Sequence, residues 1–327
     1  MRTVTHAASE RVFFPGAATM VVAIGVAQVH SHHTAPVNSL DFSKDGDLLL
    51  SSGDDGRLCL YSTTQGSLLR VAHCAAHGMS LAKFTHDPMS AIVASPVDHA
   101  IRYLSLHDKR YLRSFRGHTD RVVALEMSPK EDMLASASMD NTARLWDLRQ
   151  SNCQGVLRFE GGGQRPAVAF DAQGLVFAAA ICGGAVKLFD IRGYDKGPFL
   201  TFSPDLGGAK SFSSLTFSNN GKQLLLATTS GAHTLLDAFS GGVTATFTVP
   251  NAKGLPLQAA FSPDSNFVLA GGDDGSVHRW NIGEVKAAPV LREHTSPVTA
   301  IKCNPTRMML ASAANEICFW LPLPGAA

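Results

Sequence analysis

His118, Ser136, Ser138 and Asp140 are the residues of this chain with the plainest capacity for chemistry. An imidazole, a hydroxyl and a carboxylate are what a hydrolytic triad needs as base, nucleophile and orienting acid. Comparable sets return along the chain: His33 with Asp55, His77 with Asp98, Asp274, and His294 near the end. Two other groups invite a functional reading. The tract His30-Ser31-His32-His33 offers three imidazoles of the kind that bind metals. The stretch from Arg102 to Arg121 carries Arg102, Lys109, Arg110, Arg113, Arg116 and Arg121, opposed only by Asp108 and Asp120. Guanidinium forks pair bidentately with phosphate, and Tyr103 and Tyr111 lie close by for packing.

The elements that carry these residues decide between the readings. The clearest unit runs Gly117-His-Thr-Asp-Arg-Val-Val-Ala-Leu-Glu-Met-Ser-Pro129, then Leu134-Ala-Ser-Ala-Ser-Met-Asp-Asn-Thr-Ala-Arg-Leu-Trp-Asp147. Its two-residue alternation and its Pro, Asp and Asn turn positions describe short antiparallel strands joined by tight hairpins. Following the residue equivalent to Trp146 gives Tyr61, Leu104, Trp146, Phe189, Leu236, Trp280 and Trp320, at intervals of roughly 40 to 47 residues. That is the period of four-stranded propeller blades, and the unit is the WD-repeat pattern nearly complete. In that pattern a histidine, a serine and a hairpin aspartate link to the tryptophan by hydrogen bonds. His118, Asp140 and Trp146 fit it, with Ser136 or Ser138 as fourth member. His33 and Asp55 repeat it around Tyr61, His77 and Asp98 around Leu104, Asp274 accompanies Trp280, and His294 pairs with Trp320. A set that recurs with the repeat is structural rather than catalytic. An unpaired group in such a buried network would cost about 1 to 3 kcal/mol. The histidine tract is then a loop with one structural imidazole. Gly183, Ser230 and Ala314 stand for the hairpin aspartate in the fourth, fifth and seventh units, which must rely more on apolar packing.

The predicted fold is all-β: a seven-bladed WD-repeat β-propeller over residues 21–327, preceded by an extension over residues 1–20. The chain ends soon after Trp320, one strand short of a full blade, so Val26–Val29 is expected to supply the fourth strand and close the last blade. Closure also removes sheet edges that would otherwise invite aggregation. The nearly uncharged run from Val12 to Val29 has the profile of a signal peptide or anchor, but Pro15, Gly16 and Gly25 interrupt it, and its end has this structural use.

Composition sets further bounds. With 28 Lys+Arg against 27 Asp+Glu the formal charge is +1, so bulk attraction to nucleic acid or membrane is not expected. The six cysteines are scattered without a CxxC pair, as reduced thiols of a cytosolic or nuclear protein would be. No Gly-rich phosphate loop, nucleophile elbow or metal-ligand spacing lies outside the repeat positions, so neither enzyme nor cofactor is expected.

Several segments between the repeats resemble one family: Ile101-Arg-Tyr-Leu-Ser-Leu-His-Asp108, Tyr111-Leu-Arg-Ser-Phe-Arg-Gly-His118, Leu145-Trp-Asp-Leu-Arg149, Val186-Lys-Leu-Phe-Asp190, Tyr194-Asp-Lys-Gly-Pro-Phe199 and Phe319-Trp-Leu-Pro322. They are similar to the small nuclear WD-repeat subunits of COMPASS-type histone H3 lysine-4 methyltransferase complexes. The resemblance runs from about Val26 to Pro322 and implies a non-enzymatic, nuclear, monomeric subunit of a hetero-complex. Its implied partners are a histone methyltransferase catalytic subunit, a nuclear phosphatase targeting subunit of a transcription-termination complex, and the phosphorylated tail of RNA polymerase II, without sequence-specific nucleic-acid contact. The alternative is an adaptor elsewhere, such as a ubiquitin ligase substrate receptor or a trafficking coat, because fold alone does not fix function. Residues 1 to about 20 and the glycine-loosened segments around Gly161–Arg165 and Gly207–Lys210 depart from the family pattern, so no contact residue carries over. Part of the basic stretch from Arg102 to Arg121 is a candidate contact for a phosphorylated or acidic tail; the other reading is a solvated blade edge whose alternate residues face water. Lys44, Arg57, Asp87, Lys130, Asn219 and Asp264 are further candidates in turns that reach a rim.

Overall fold

The computed structural model of the chain describes residues 23–323, except 75–76, 160–162, 182 and 209–210. The expected extension over residues 1–20 lies outside them. Short runs of β-branched and aliphatic residues, punctuated by Gly, Asp and Pro, form seven separate four-stranded antiparallel sheets. Blade 3 shows the pattern, with strands Val122–Met127, Met133–Ser138, Thr142–Asp147 and Cys153–Arg158 ordered from the axis outwards. Each residue tracked at the Trp146 position falls on the third strand of its blade. Helix is confined, among the described residues, to one turn at Tyr194–Lys196.

The last blade is built as expected from both ends of the chain. The strand Ile24–His30 pairs antiparallel with Ile317–Pro322, with Val26 opposite Trp320 and His30 opposite Ile317. Burial makes this seam adhesive: Ile24 and Val26 pack on a cluster joining Phe267, Leu269 and Val277 of blade 6 to Leu310 and Trp320 of blade 7. The other face of blade 7 puts Ala311 and Phe319 against Val37, Leu49 and Tyr61 of blade 1. Similar sheet-on-sheet clusters link the remaining blades, as where Ala143 and Leu145 meet Phe170, Phe177 and Phe189. The core is therefore a ring of interfaces with no single centre, which is how a chain of this length remains one unit.

Antiparallel connectivity gives the ring two distinct faces. Turns between first and second strands, and between third and fourth, lie on the lower face. Turns between second and third strands lie on the upper face, together with the connections from blade to blade. Lys44, Asp87, Lys130, Asn219 and Asp264 all occupy first-to-second-strand turns and share the lower face, whereas Arg57 begins a third strand on the upper one.

Candidate functional site

In blade 3 the connection before the first strand brings His118 over the hairpin carrying Asp140. The hairpin turns tightly because Asn141 adopts φ 60°, a left-handed conformation that Asn tolerates; Gly56 and Gly275 take φ 67° and 81° at the corresponding places. His118 Nδ1 lies 2.9 Å from Asp140 Oδ2 and its Nε2 lies 2.8 Å from Ser136 Oγ. Trp146 Nε1 donates to the same oxygen at 2.9 Å. Asp140 also accepts from the Thr119 and Thr142 amides. Burial disfavours its charge, but the hydrogen bonds from Thr142, His118 and Thr119 outweigh that and hold the carboxyl below the usual range. Burial keeps His118 neutral against the pull of Asp140. A neutral ring that donates from Nδ1 accepts the Ser136 proton at Nε2, so every polar group in the chain of bonds is used.

This is the connectivity of a hydrolytic triad in a place where it cannot act as one. Ser136 has 0 % exposure, so no substrate can reach its oxygen, which already accepts from the Trp146 indole. Ser138, the other candidate for the fourth position, has a different partner: its hydroxyl donates to the Asp120 carbonyl at 2.8 Å.

The other blades keep or lose this chain for local reasons. In blade 1, His33 joins Asp55 at 3.1 Å and Ser51 at 2.7 Å beside the buried Tyr61. In blade 7, His294 and Trp320 both bond Ser312 at 2.7 Å. Its hairpin is shorter, placing Trp320 eight residues after Ser312 where Trp146 follows Ser136 by ten, and Cys318 Sγ faces His294 Nδ1 at 3.8 Å where an aspartate would stand. Blade 2 departs from expectation. His77 and Asp98 approach only to 4.0 Å, because Arg102 takes both oxygens of Asp98 at 3.0 and 2.5 Å. The sequence gives no histidine or serine at the matching places of blade 6; Ala252 and Ala270 stand there. Asp274 instead accepts from Ser276, and Trp280 is held between the rings of Phe247 and His278, with centroids 5.1 and 5.7 Å away.

One surface open to a partner surrounds the axis. First strands line a central channel, where Lys83, Glu126, Thr216, Ala260 and Lys302 form part of the wall, and Asp41 and Ala169 hold the same position in their own first strands. Four of these are charged and compensate one another. Lys83 Nζ is 2.7 Å from Glu126 and 3.7 Å from Asp41, and Lys302 is 3.7 Å from Asp41. Burial opposes the Lys83 charge, but Glu126 and Asp41 outweigh it and raise its pKa. On the upper face the channel opens into a recess lined by Asn38, Arg121, Arg165, Gln258 and Thr299 among others. The sequence reading overlooked Arg165 because it treated 161–165 as a loosened loop. The usable signal was its place two residues before a first strand, close to the place Arg121 holds in the preceding blade.

The basic stretch does not form one patch. Arg102 is 4 % exposed and bound to Asp98, so it is a structural residue and not a partner contact. Lys109 and Arg110 lie in a lower-face turn, and Arg113 donates to the Leu148 carbonyl of the next blade at 2.8 Å. Arg116 and Arg121 emerge at the upper face beyond Tyr111–Phe115, about 17 Å of extended strand away. A strand crossing the blade from face to face necessarily separates the residues at its two ends.

Comparison with known proteins accords with this architecture. The family model "WD domain, G-beta repeat" matches residues 26–62, 109–147 and 246–281. WD repeat-containing protein 82 of Drosophila melanogaster is 43 % identical, covering 93 % of this chain and 96 % of that protein. COMPASS component SWD2 of Saccharomyces cerevisiae is 32 % identical over 88 % of this chain and 91 % of its own length. Set1 complex component swd2 of Schizosaccharomyces pombe is 36 % identical over 76 % and 72 %. With identity of this level running around the whole ring, the chain belongs to the WD-repeat family, in the branch that contains WD repeat-containing protein 82 and the Swd2 COMPASS components.

Proposed function

We propose that this chain is a non-catalytic docking subunit of a nuclear COMPASS-type histone H3 lysine-4 methyltransferase complex. In the same role it joins a phosphatase-containing transcription-termination complex and links its assembly to the phosphorylated tail of RNA polymerase II. The observation that carries the reading is the level of the likeness: relatives named as Set1 or COMPASS components are 36 % and 32 % identical over most of the chain. A non-catalytic role is supported by the state of the His–Ser–Asp sets, whose hydroxyls are buried and spent on blade geometry. The partners expected are a methyltransferase catalytic subunit and a phosphatase targeting subunit, each bound to a monomeric propeller. Affinity purification of the tagged protein from nuclear extract at moderate salt, followed by mass spectrometry, tests this. Recovery of methyltransferase, phosphatase or polymerase subunits is expected. Recovery of only cullin-ligase or coat components would overturn it.

A further inference from the structure

We propose that the outer edge of blade 5 is a docking strip for an extended, uncharged segment of a partner polypeptide, which adds antiparallel to Val243–Thr248 as a fifth strand. That strand pairs only on its inner side, with Ala232–Asp237. Peptide groups along a strand of an antiparallel ladder face inward and outward in turn. Val249 donates inward to the Gly231 carbonyl at 2.9 Å, so the N–H and C=O groups of Thr248 and Thr246 point out of the sheet. The side chains of Val243, Thr244, Thr246 and Thr248 are exposed, while Phe247 is buried and stacks on Trp280. Among the described residues, the one side-chain hydrogen bond at this strand, from Thr244 Oγ1 to the Leu235 carbonyl at 3.0 Å, runs inward to its own blade.

An open edge is a template for pairing, and the other blades blunt theirs. In blade 1, Arg70 stands mid-strand in Ser67–His73 and donates to the Leu106 and His107 carbonyls of blade 2 at 3.1 and 2.5 Å. Arg113 ties the outer strand of blade 2 to blade 3 in the same way. In blade 3, Tyr194 lies over Gly155 and donates to the Gln154 carbonyl at 2.7 Å. The outer strand of blade 4, Leu200–Phe202, has only three residues, and that of blade 6, Lys286–Arg292, carries a charge at each end and Pro289 between. Blade 7 has Leu323 against Gly25 and Gln28 against Gly66 of blade 1. Blade 5 has none of these devices: no charged residue lies between Asp237 and Lys253, and no proline interrupts the strand. At its head Phe239 is 75 % and Val243 47 % exposed, on a turn seated against blade 4 where Gly241 abuts Phe202. Outward peptide groups recognise an extended backbone rather than a helix, and a strip without counter-ions matches a segment that is itself uncharged, with an apolar residue for Phe239. The proposal uses the docking-subunit reading only for the origin of the segment in another polypeptide.

The test titrates the full chain against a fluorescein-labelled peptide of alternating Val and Thr flanked by Gly-Ser, following anisotropy, with two versions alongside: one with Lys in place of Thr, one N-methylated on alternate amides. Saturable binding of the neutral peptide is expected, weakened about tenfold or more by N-methylation and by Thr246→Lys with Thr248→Lys, and unchanged by Val156→Lys on the edge of blade 3. Amide hydrogen exchange over residues 242–249 should slow in the bound chain. Both threonines are exposed, so the double variant keeps its fold, which urea unfolding checks. Absence of saturable binding, or undiminished binding by the double variant, overturns the site. Equal affinity for the lysine peptide overturns the uncharged segment as occupant. A wild-type dimer in sedimentation that the double variant abolishes overturns the foreign partner in favour of a second copy. Recovery of methyltransferase subunits is measured separately, so a wild-type chain that binds the neutral peptide but joins no such complex refutes the docking reading and leaves the edge standing.

Discussion

Replacing Ser136 by alanine deletes the one oxygen that serves two rings. It accepts from Trp146 Nε1 at 2.9 Å and bonds His118 Nε2 at 2.8 Å. Both nitrogens are buried, and the space left by one oxygen is too small for a bridging water, so each loses its partner outright. An orphaned buried group costs about 1 to 3 kcal/mol, and two give a loss of about 2 to 6 kcal/mol. That is a large share of the roughly 5 to 15 kcal/mol that stabilises a typical domain. Ser138→Ala is the control: its hydroxyl donates to one carbonyl and accepts from the Asp140 amide without bridging rings, so about 1 kcal/mol is expected. Urea unfolding, compared through midpoints at constant slope, measures both. Combining Ser136→Ala with Trp146→Phe should cost less than the sum of the single changes by about 1 kcal/mol, because the second change removes a donor the first has already stranded. Equal losses for the two serines, or strict additivity with Trp146→Phe, would refute the claim that this bridge fixes the blade.

Acid should weaken the fold before carboxylates begin to protonate. Burial holds His30, His233 and His294 neutral, with pKa values lowered to about 4, while the same residues in the unfolded chain titrate near the ordinary histidine value of 6.5. Between these values the unfolded chain binds more protons, so their contribution is complete above 6.5 and is lost as pH falls toward 4; for the deeply buried His30 and His233 this amounts to about 3 kcal/mol each at most. Unfolding midpoints followed from about pH 7.5 to about pH 4.5 check it, and a flat profile down to about pH 4 contradicts it. Val26→Asp sets a charge into the closing seam beside Trp320 and should lower stability by about 2 to 4 kcal/mol, read by thermal unfolding. Arg102→Ala leaves Asp98 without its bidentate partner and should cost about 2 to 4 kcal/mol, read by urea unfolding, while Lys109→Ala at the exposed turn should change stability by less than about 0.5 kcal/mol.

The repeat period, the number of blades and the closing strand were legible because each rests on local spacing: two-residue alternation, Asp-Asn or Asp-Gly turns, and one large apolar residue on every third strand. The same spacing could not choose between Ser136 and Ser138. They share strand parity and point to the same side, and the choice belongs to the pairing of Leu134 with Trp146, which sets Ser136 beneath the indole. Nor could it separate Arg102 from Arg110. Both are arginines in a basic run, but one lies on a third strand between blades and the other in a turn. The channel mouth was hidden altogether, since Arg121 and Arg165 belong to successive blades and meet only when the ring brings their first strands side by side. The sequence by itself determined what repeats, because repetition is a property of neighbours along the chain. Tertiary structure decided what is exposed and what converges on the axis, because those depend on register within each sheet and on closure of all seven around a common centre.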